Sequence, residues 1–143
     1  MKKLIVILFF APFLSKAQFT LSNTSTTSLC ELRAGTWPLN LQRVIKKSDT
    51  VYVLQFRDQQ YQQEVNMSQL KFGNLSQLRY FQQGLAALKN GGNGDAANFK
   101  EYTVTRTDIK KEGIAYTLTS TDGAVINFKQ AEADKMIAAI KAL

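Results

Sequence analysis

The sequence contains no histidine and a single cysteine, Cys30, among its 143 residues. Without histidine the chain cannot form a Ser-His-Asp triad, a Cys-His pair or a histidine-ligated zinc site. One cysteine excludes a disulfide bond within the chain, and we expect a buried or inert thiol, with pairing between two chains as the alternative. The glycines match no phosphate-binding or dinucleotide-binding loop. The sequence therefore predicts neither a metal site nor a cofactor.

The residues that are present form an ordinary globular composition, with 45% hydrophobic and 20% charged residues. The length allows one modest domain. Lysine and arginine number 18 against 11 acidic residues, which gives a formal net charge of +7. An excess of positive charge favours anionic partners.

The first 17 residues have the organisation of a signal peptide. Lys2 and Lys3 precede an apolar run from Leu4 to Leu14, and Ser15-Lys16-Ala17 supplies small residues for a signal peptidase. The run of about 11 residues would span roughly 16 Å as a helix, too little for a bilayer core of about 30 Å. We expect cleavage after Ala17 and export to the periplasm or the extracellular space. Cleavage removes three lysines and lowers the net charge to +4.

The predicted mature chain consists of an approach segment and one domain. Residues 18–38 are interpreted as a flexible leader and the approach to a first strand. Their first part, residues 18–28, is rich in serine and threonine and carries no charge, which suits a leader or a loosely held edge strand. Residues 39–143 are predicted to form a single α+β domain.

Alternation of apolar and polar residues predicts the strands of this domain. The predicted strands cover residues 39–47, 50–57, 70–72, 99–107, 114–120 and 124–128. In the 99–107 and 114–120 strands one face is apolar and the other is rich in threonine, as expected for an antiparallel sheet with one solvated side. The glutamine-rich residues 59–69 are a loop or a strand extension, with Tyr61 and Val65 directed inward.

Two helices follow from apolar residues spaced three and four apart. Asn74 is placed to cap the first helix, in which Leu78, Phe81 and Leu85 lie on one stripe. Residues 130–143 form the second helix. Together the elements predict an α+β fold: one antiparallel sheet of about five or six strands, with both helices packed on one face. The order of strands followed by a helix occurs twice, which is compatible with a duplicated unit.

Basic residues at two predicted hairpin tips are the candidate binding site. The six residues are Arg43, Lys46, Lys47, Arg106, Lys110 and Lys111. If both hairpins point the same way, these cations meet at one end of the sheet and attract an anionic partner. The predicted function is therefore a small exported binding or interaction module without catalytic machinery. Its partner is an unidentified protein or an anionic envelope polymer, with at most peripheral contact with a membrane surface and no nucleic acid.

The alternative function is a carboxylate-dependent envelope hydrolase of the glycosidase type. Such an enzyme uses two acidic side chains that flank the bond to be broken. Asp58 and Glu64 are the candidate pair, because Asp58 comes directly before the glutamine-rich segment and Glu64 lies within it, after a central strand. A deep cleft with two facing acids would favour this hydrolase, and a flat polar sheet would favour the binding module.

Overall fold

A computed structural model describes residues 24–61, 63 and 65–143 of the chain. The predicted signal peptide and Glu64 lie outside these described residues. Each half of the described chain has four strands followed by one helix. The elements are β1 (Thr24–Ala34), β2 (Trp37–Lys46), β3 (Asp49–Arg57), β4 (Met67–Phe72), α1 (Leu75–Lys89), β5 (Ala96–Asn98), β6 (Tyr102–Ile109), β7 (Gly113–Ser120), β8 (Val125–Lys129) and α2 (Gln130–Lys141).

The strands form two antiparallel sheets of four, which we call sheet A (β1-β2-β3-β4) and sheet B (β5-β6-β7-β8). The prediction of an α+β fold with antiparallel pairing is confirmed, whereas the prediction of a single sheet with five or six strands is wrong. Each strand pairs with its neighbour in sequence, and α1 interrupts that succession between β4 and β5. Alternation along a strand identifies its buried face, but it does not identify the strand that lies at its edge.

The two sheets and the two helices share one hydrophobic core. Helix α1 contacts β3 and β4 of sheet A as well as β5 and β6 of sheet B, and α2 contacts β1, β7, β8 and α1. The predicted stripe of α1 is confirmed, since Leu78, Phe81, Leu85 and Leu88 are buried. The buried face of α2 includes Met136, Ile137 and Ile140. Burying these apolar faces against both sheets joins the two halves of the chain.

The start of α1 is stabilised by side-chain caps. Asn74 Oδ1 accepts a hydrogen bond from the Gln77 backbone N–H at 2.9 Å. Gln77 Oε1 in turn accepts from the Gly73 backbone N–H at 2.7 Å. These two bonds satisfy donors that a helix start leaves unpaired, which is why the chain turns into a helix directly after β4.

Residues 24–34 form the edge strand β1. They overlap residues 18–28, interpreted from the sequence as a leader or a loosely held edge strand, and continue into the predicted approach segment. It pairs with β2 from Thr24↔Lys46 to Ala34↔Trp37, with a shift of register between Ser28 and Cys30. In the glutamine-rich segment, residues 67–69 belong to β4, and the described residues before them form a loop. Tyr61 and Val65 are 53% and 73% exposed, so the prediction that they point inward is wrong.

A short extension of β3 connects sheet A to the edge of sheet B, and we call it the Asp58–Gln59 clasp. The Gln59 backbone N–H donates to Val125 O at 2.8 Å, and Asp58 Oδ1 accepts from Val125 N at 3.0 Å. Gln59 Oε1 accepts from Asn127 N at 3.0 Å, while Gln59 Nε2 donates to Asn127 O at 3.3 Å. The side-chain amide of Gln59 thus pairs with β8 as a backbone peptide group would.

Candidate ligand-binding cleft

A cleft of about 960 Å³ opens between the two sheets at the start of α1. Its walls are the end of β4, the first turns of α1 and the segment 98–102 that leads into β6. We call it the α1 cleft. Its volume lies in the range of pockets that hold small molecules or one or two units of a polymer.

One wall of the α1 cleft is aromatic. Tyr80 meets Phe99 edge to face with ring centroids 5.5 Å apart, and Phe99 stacks on Tyr102 at 4.4 Å. Tyr80 is 62% exposed, so most of its ring is open to a ligand. Phe99 is half-buried and Tyr102 is buried, which anchors this wall in the core. We call these three residues the aromatic wall.

A glycine in α1 makes room for this wall. A Cβ atom at Gly84 would lie 2.5 Å from the Phe99 ring and 3.4 Å from Ala97 Cβ. Glycine within a helix lowers the stability of the helix by about 1 kcal/mol relative to alanine. At position 84 glycine is suitable because a larger side chain would clash with the Phe99 ring. Gly84 lies one turn after Tyr80, and Phe99 occupies the space that its missing side chain leaves.

The polar lining of the cleft presents hydrogen-bond donors. The amide oxygens of Asn74 and Gln77 accept from backbone N–H groups, and Asn98 Oδ1 accepts from Thr103 Oγ1 at 3.1 Å. An amide whose oxygen is bound in this way has its orientation determined. Within the described part of the chain, none of the three amide NH2 groups donates to a protein acceptor. Three oriented NH2 groups are therefore available to a ligand that brings acceptors.

The charges of the cleft favour an anion. Lys71 and Lys100 line it together with one carboxylate, Glu101. The neighbouring phenol of Tyr102 remains neutral, because its burial, with smaller contributions from Glu101 and Tyr80, raises the pKa of Tyr102. The lining therefore combines two ammonium groups with three amide donors, and Glu101 supplies its one carboxylate.

Four of the six predicted binding residues lie at exposed hairpin tips. Lys46 ends β2 and Lys47 follows it in the turn, whereas Lys110 and Lys111 lie in the turn between β6 and β7. Lys47 and Lys111 have positive φ values of 58° and 81°. All four side chains are exposed, as binding to a large partner requires.

The residue contacts place the first hairpin tip on the side of the start of α1 and the second tip on the side of its end. The first tip extends beyond Tyr52, which pairs with Phe72 at the strand end that leads into the helix. The second tip extends beyond Arg106, which contacts the last turn of the helix. Helix α1 has 15 residues and is therefore about 22 Å long. The described contacts do not gather the six cations into one cluster.

The two predicted arginines are less accessible than the lysines. Arg43 is half-buried opposite Tyr52 and Thr27, and its buried Nε has no hydrogen-bond partner among the described residues. Arg106 is 8% exposed and contacts the carbonyl oxygens of Leu88 and Lys89 at 2.9 and 2.8 Å. Arg106 thus acts within the protein as a cap on the end of α1.

The candidate hydrolase residue Asp58 belongs to the clasp. It is 5% exposed, and its Oδ1 accepts hydrogen bonds from the backbone N–H groups of Val125 and Gln60, both at 3.0 Å. The proposed second acid, Glu64, lies outside the described residues. Within the part of the chain that the structure describes, no three Cys, Asp or Glu side chains cluster as metal ligands would.

Cys30 lies half-buried in β1 beside α2. Burial raises the pKa of the Cys30 thiol, although the positive charge of Lys135 acts in the opposite direction. A protonated thiol is a poor nucleophile, so Cys30 has the character of a packing residue.

Sequence reasoning did not identify the α1 cleft, although two signals of it were present. Tyr80 lies outside the apolar stripe of α1, and Gly84 is a glycine inside a helix-forming segment. Either signal alone is common in surface helices. The cleft becomes evident only when residues 98–102 are placed beside α1, about 20 residues away along the chain.

Comparisons with known proteins do not identify a relative: no family model matches the chain, and no curated protein matches it. No helix among the described residues is long and apolar enough to cross a membrane. A function must therefore be inferred from the cleft and the charged surface.

Proposed function

We propose that this chain is a small exported binding module, without catalytic machinery, that holds an anionic component of the cell envelope in the α1 cleft. The observation that carries the proposal is the lining of the cleft. Two lysines and three oriented amide donors lie beside an open aromatic ring, so a ligand that brings negative charge and acceptor oxygens is bound from several sides.

The exposed lysines of the hairpin tips contribute a more general attraction. Near the second tip, Asp108 pairs with Arg106 at 2.7 Å and Glu112 pairs with Lys129 at 3.1 Å. These acids are engaged by other cations, which leaves the ammonium groups of Lys110 and Lys111 available. A positive surface steers an anionic polymer towards the protein, and the cleft supplies the specific contacts.

The test is binding of the mature chain, residues 18–143, to polygalacturonate, an acidic polymer used here as the probe. Binding measured by calorimetry should weaken as salt rises from about 0.01 to 0.15 M, because the screening length falls from roughly 30 to 8 Å. A Lys71→Gln, Lys100→Gln double variant should lose roughly tenfold or more in affinity, since it removes both ammonium groups of the cleft.

A variant with all four tip lysines changed to glutamine (Lys46, Lys47, Lys110 and Lys111) is the matched comparison. It removes more charge than the cleft variant but leaves the cleft intact. We expect its binding to weaken by less than that of the cleft variant, mainly through a slower association rate. Complete loss of binding in this variant, with full binding in the cleft variant, would move the site to the tips and overturn the proposal for the cleft.

A further inference from the structure

We infer that the ligand of the α1 cleft is a sugar acid, that is, a saccharide unit that carries a carboxylate. Its apolar ring face would lie on the aromatic wall, and its oxygen atoms would accept from the amide and ammonium donors. This inference rests on the proposed function and specifies the ligand class of the same site.

The aromatic wall is suited to a flat ligand with polarised C–H bonds. The exposed ring of Tyr80 contacts Phe99 in an edge-to-face arrangement, and Phe99 stacks on Tyr102. An aromatic face is electron-rich and attracts the positive hydrogens of C–H groups. The C–H faces of a pyranose ring meet this requirement, whereas a bare phosphate or carboxylate has nothing to stack.

The donors are suited to a ligand rich in acceptors. The NH2 groups of Asn74, Gln77 and Asn98 are oriented by the protein hydrogen bonds to their oxygens. Hydroxyl and ring oxygens of a saccharide accept such bonds, and a carboxylate accepts from the ammonium groups of Lys71 and Lys100. A neutral sugar offers the two ammonium groups only uncharged acceptors, so the charge of the donors matches an acidic sugar better.

The cleft is largely formed before the ligand arrives. Phe99 lies against the surface of Gly84, and Asn74 and Gln77 are held by the capping bonds at the start of α1. Groups that are already ordered lose little conformational entropy on binding. A small, rigid sugar unit is therefore sufficient as a probe.

The test compares three ligands by calorimetry, each with three repeating units: trigalacturonate, neutral maltotriose and inorganic tripolyphosphate. We expect trigalacturonate to bind at least tenfold more tightly than either of the others. Tyr80→Leu should weaken trigalacturonate binding roughly tenfold, since it removes the aromatic face, while Tyr80→Phe retains the ring and should stay within about twofold. Tyr61→Leu, at an exposed tyrosine outside the cleft lining, is the matched control and should have no effect.

The outcomes separate this inference from the proposed function. Equal binding of tripolyphosphate, or unchanged binding of trigalacturonate by Tyr80→Leu, overturns the sugar-acid ligand and leaves an anion site that depends on Lys71 and Lys100. If polygalacturonate binding is unchanged in the Lys71→Gln, Lys100→Gln variant, the proposed function itself is overturned. Tyr80 is largely exposed, so its variants should remain folded, and their thermal midpoints verify this.

Discussion

Arg106 connects strand β6 to the end of α1 through its guanidinium group. Its Nη1 lies within hydrogen-bond distance of three carbonyl oxygens, those of Leu88, Lys89 and Gly91. Its Nε donates to Asp108 Oδ1 at 2.7 Å. This contact with Asp108, the principal cause, raises the pKa of Arg106. The charge therefore stays in place at the negative end of the helix dipole.

Replacing Arg106 with methionine should destabilise the fold. The change retains much of the buried chain length but removes the guanidinium donor from Lys89 O and Gly91 O, while Leu88 O keeps the Gly91 backbone N–H. We expect the thermal midpoint to fall by roughly 5 °C or more, measured by circular dichroism. Arg79→Met, at an exposed position of α1, is the control and should leave the midpoint nearly unchanged. Equal effects of the two substitutions would contradict the assigned cap.

Gly84 provides a second prediction for a single residue. Alanine normally stabilises a helix relative to glycine by about 1 kcal/mol. Here the added Cβ would meet the Phe99 ring at 2.5 Å, so we expect Gly84→Ala to be neutral or destabilising in a urea titration. Ala87→Gly, at an exposed position of the same helix, should show the ordinary loss of about 1 kcal/mol. A gain of stability in Gly84→Ala would mean that Phe99 is not seated there.

In the clasp between β3 and β8, one side-chain amide makes the hydrogen bonds that the backbone of a neighbouring strand usually makes. Gln59 pairs with Asn127 through its own side chain, and its backbone N–H continues the pairing to Val125. Edge strands need their open backbone groups covered, and the clasp covers part of the edge of β8. The two sheets are joined at this side and are separated by the α1 cleft at another.

Gln59→Ala should loosen this connection while leaving both sheets folded. Loss of these neutral, exposed hydrogen bonds should cost about 0.5–1.5 kcal/mol of unfolding free energy. Hydrogen exchange should accelerate most at the Asn127 backbone N–H, whose acceptor is the Gln59 side chain. Gln60→Ala is the control, because among the described residues the Gln60 side chain makes no hydrogen bond. Unchanged exchange at Asn127 would show that the clasp is not maintained by this side chain.

The two helices are linked by an ion pair with a defined pH dependence. Lys89 Nζ lies 2.9 Å from Asp134 Oδ1. This hydrogen bond with Lys89 lowers the pKa of Asp134 below its ordinary value of 3.8. A pKa that is lower in the folded state means that the carboxylate stabilises the fold above its unfolded pKa. That contribution disappears as the pH falls through the folded-state value.

Asp134→Asn should therefore reduce stability at pH 6 to 7 and make little difference once the pH lies below the lowered pKa of Asp134. Both side chains of the pair are about half exposed, so the difference should be less than about 1 kcal/mol. Urea titrations of the two proteins across this pH range measure it, and their stabilities should converge at low pH. A constant difference at every pH would assign the effect to something other than the ion pair. Asp49→Asn, in the first hairpin tip, serves as the control.

The whole molecule carries its positive charge unevenly along the chain. Three of its 18 basic residues belong to the predicted signal peptide, and removal of residues 1–17 leaves a net charge of +4. The folded domain is therefore only moderately basic. Its preference for an anion must therefore come from the positions of the lysines. The variant without the two cleft lysines and the variant without the four tip lysines show which positions matter.

Export is a prediction for the complete chain and is tested on protein from its native host. Intact-mass measurement should show a chain that begins at or near Gln18, since the small residues before it suit a signal peptidase. A mature protein that retains Met1 to Ala17 would contradict export by this route. The ligand experiments then apply to the secreted form.

The amino-acid pattern was sufficient for those features that depend on neighbours within a few residues. The buried stripe of α1 follows from spacings of three and four, and its start follows from Asn74 and Gln77. The threonine-rich face of β6 and β7 follows from alternation along each strand. These are local properties, because backbone geometry determines which side chains share a face.

Features that depend on contacts between distant segments were decided by packing. Alternation already placed Arg106 on the same face as Tyr102 and Val104, yet it did not show that the end of α1 lies there. The division into two sheets, the clasp and the α1 cleft all join residues far apart in the chain. Their positions depend on how the two helices bury their apolar faces against both sheets. The hydrophobic effect that drives this burial is non-directional, so the sequence pattern does not specify which distant segments come into contact.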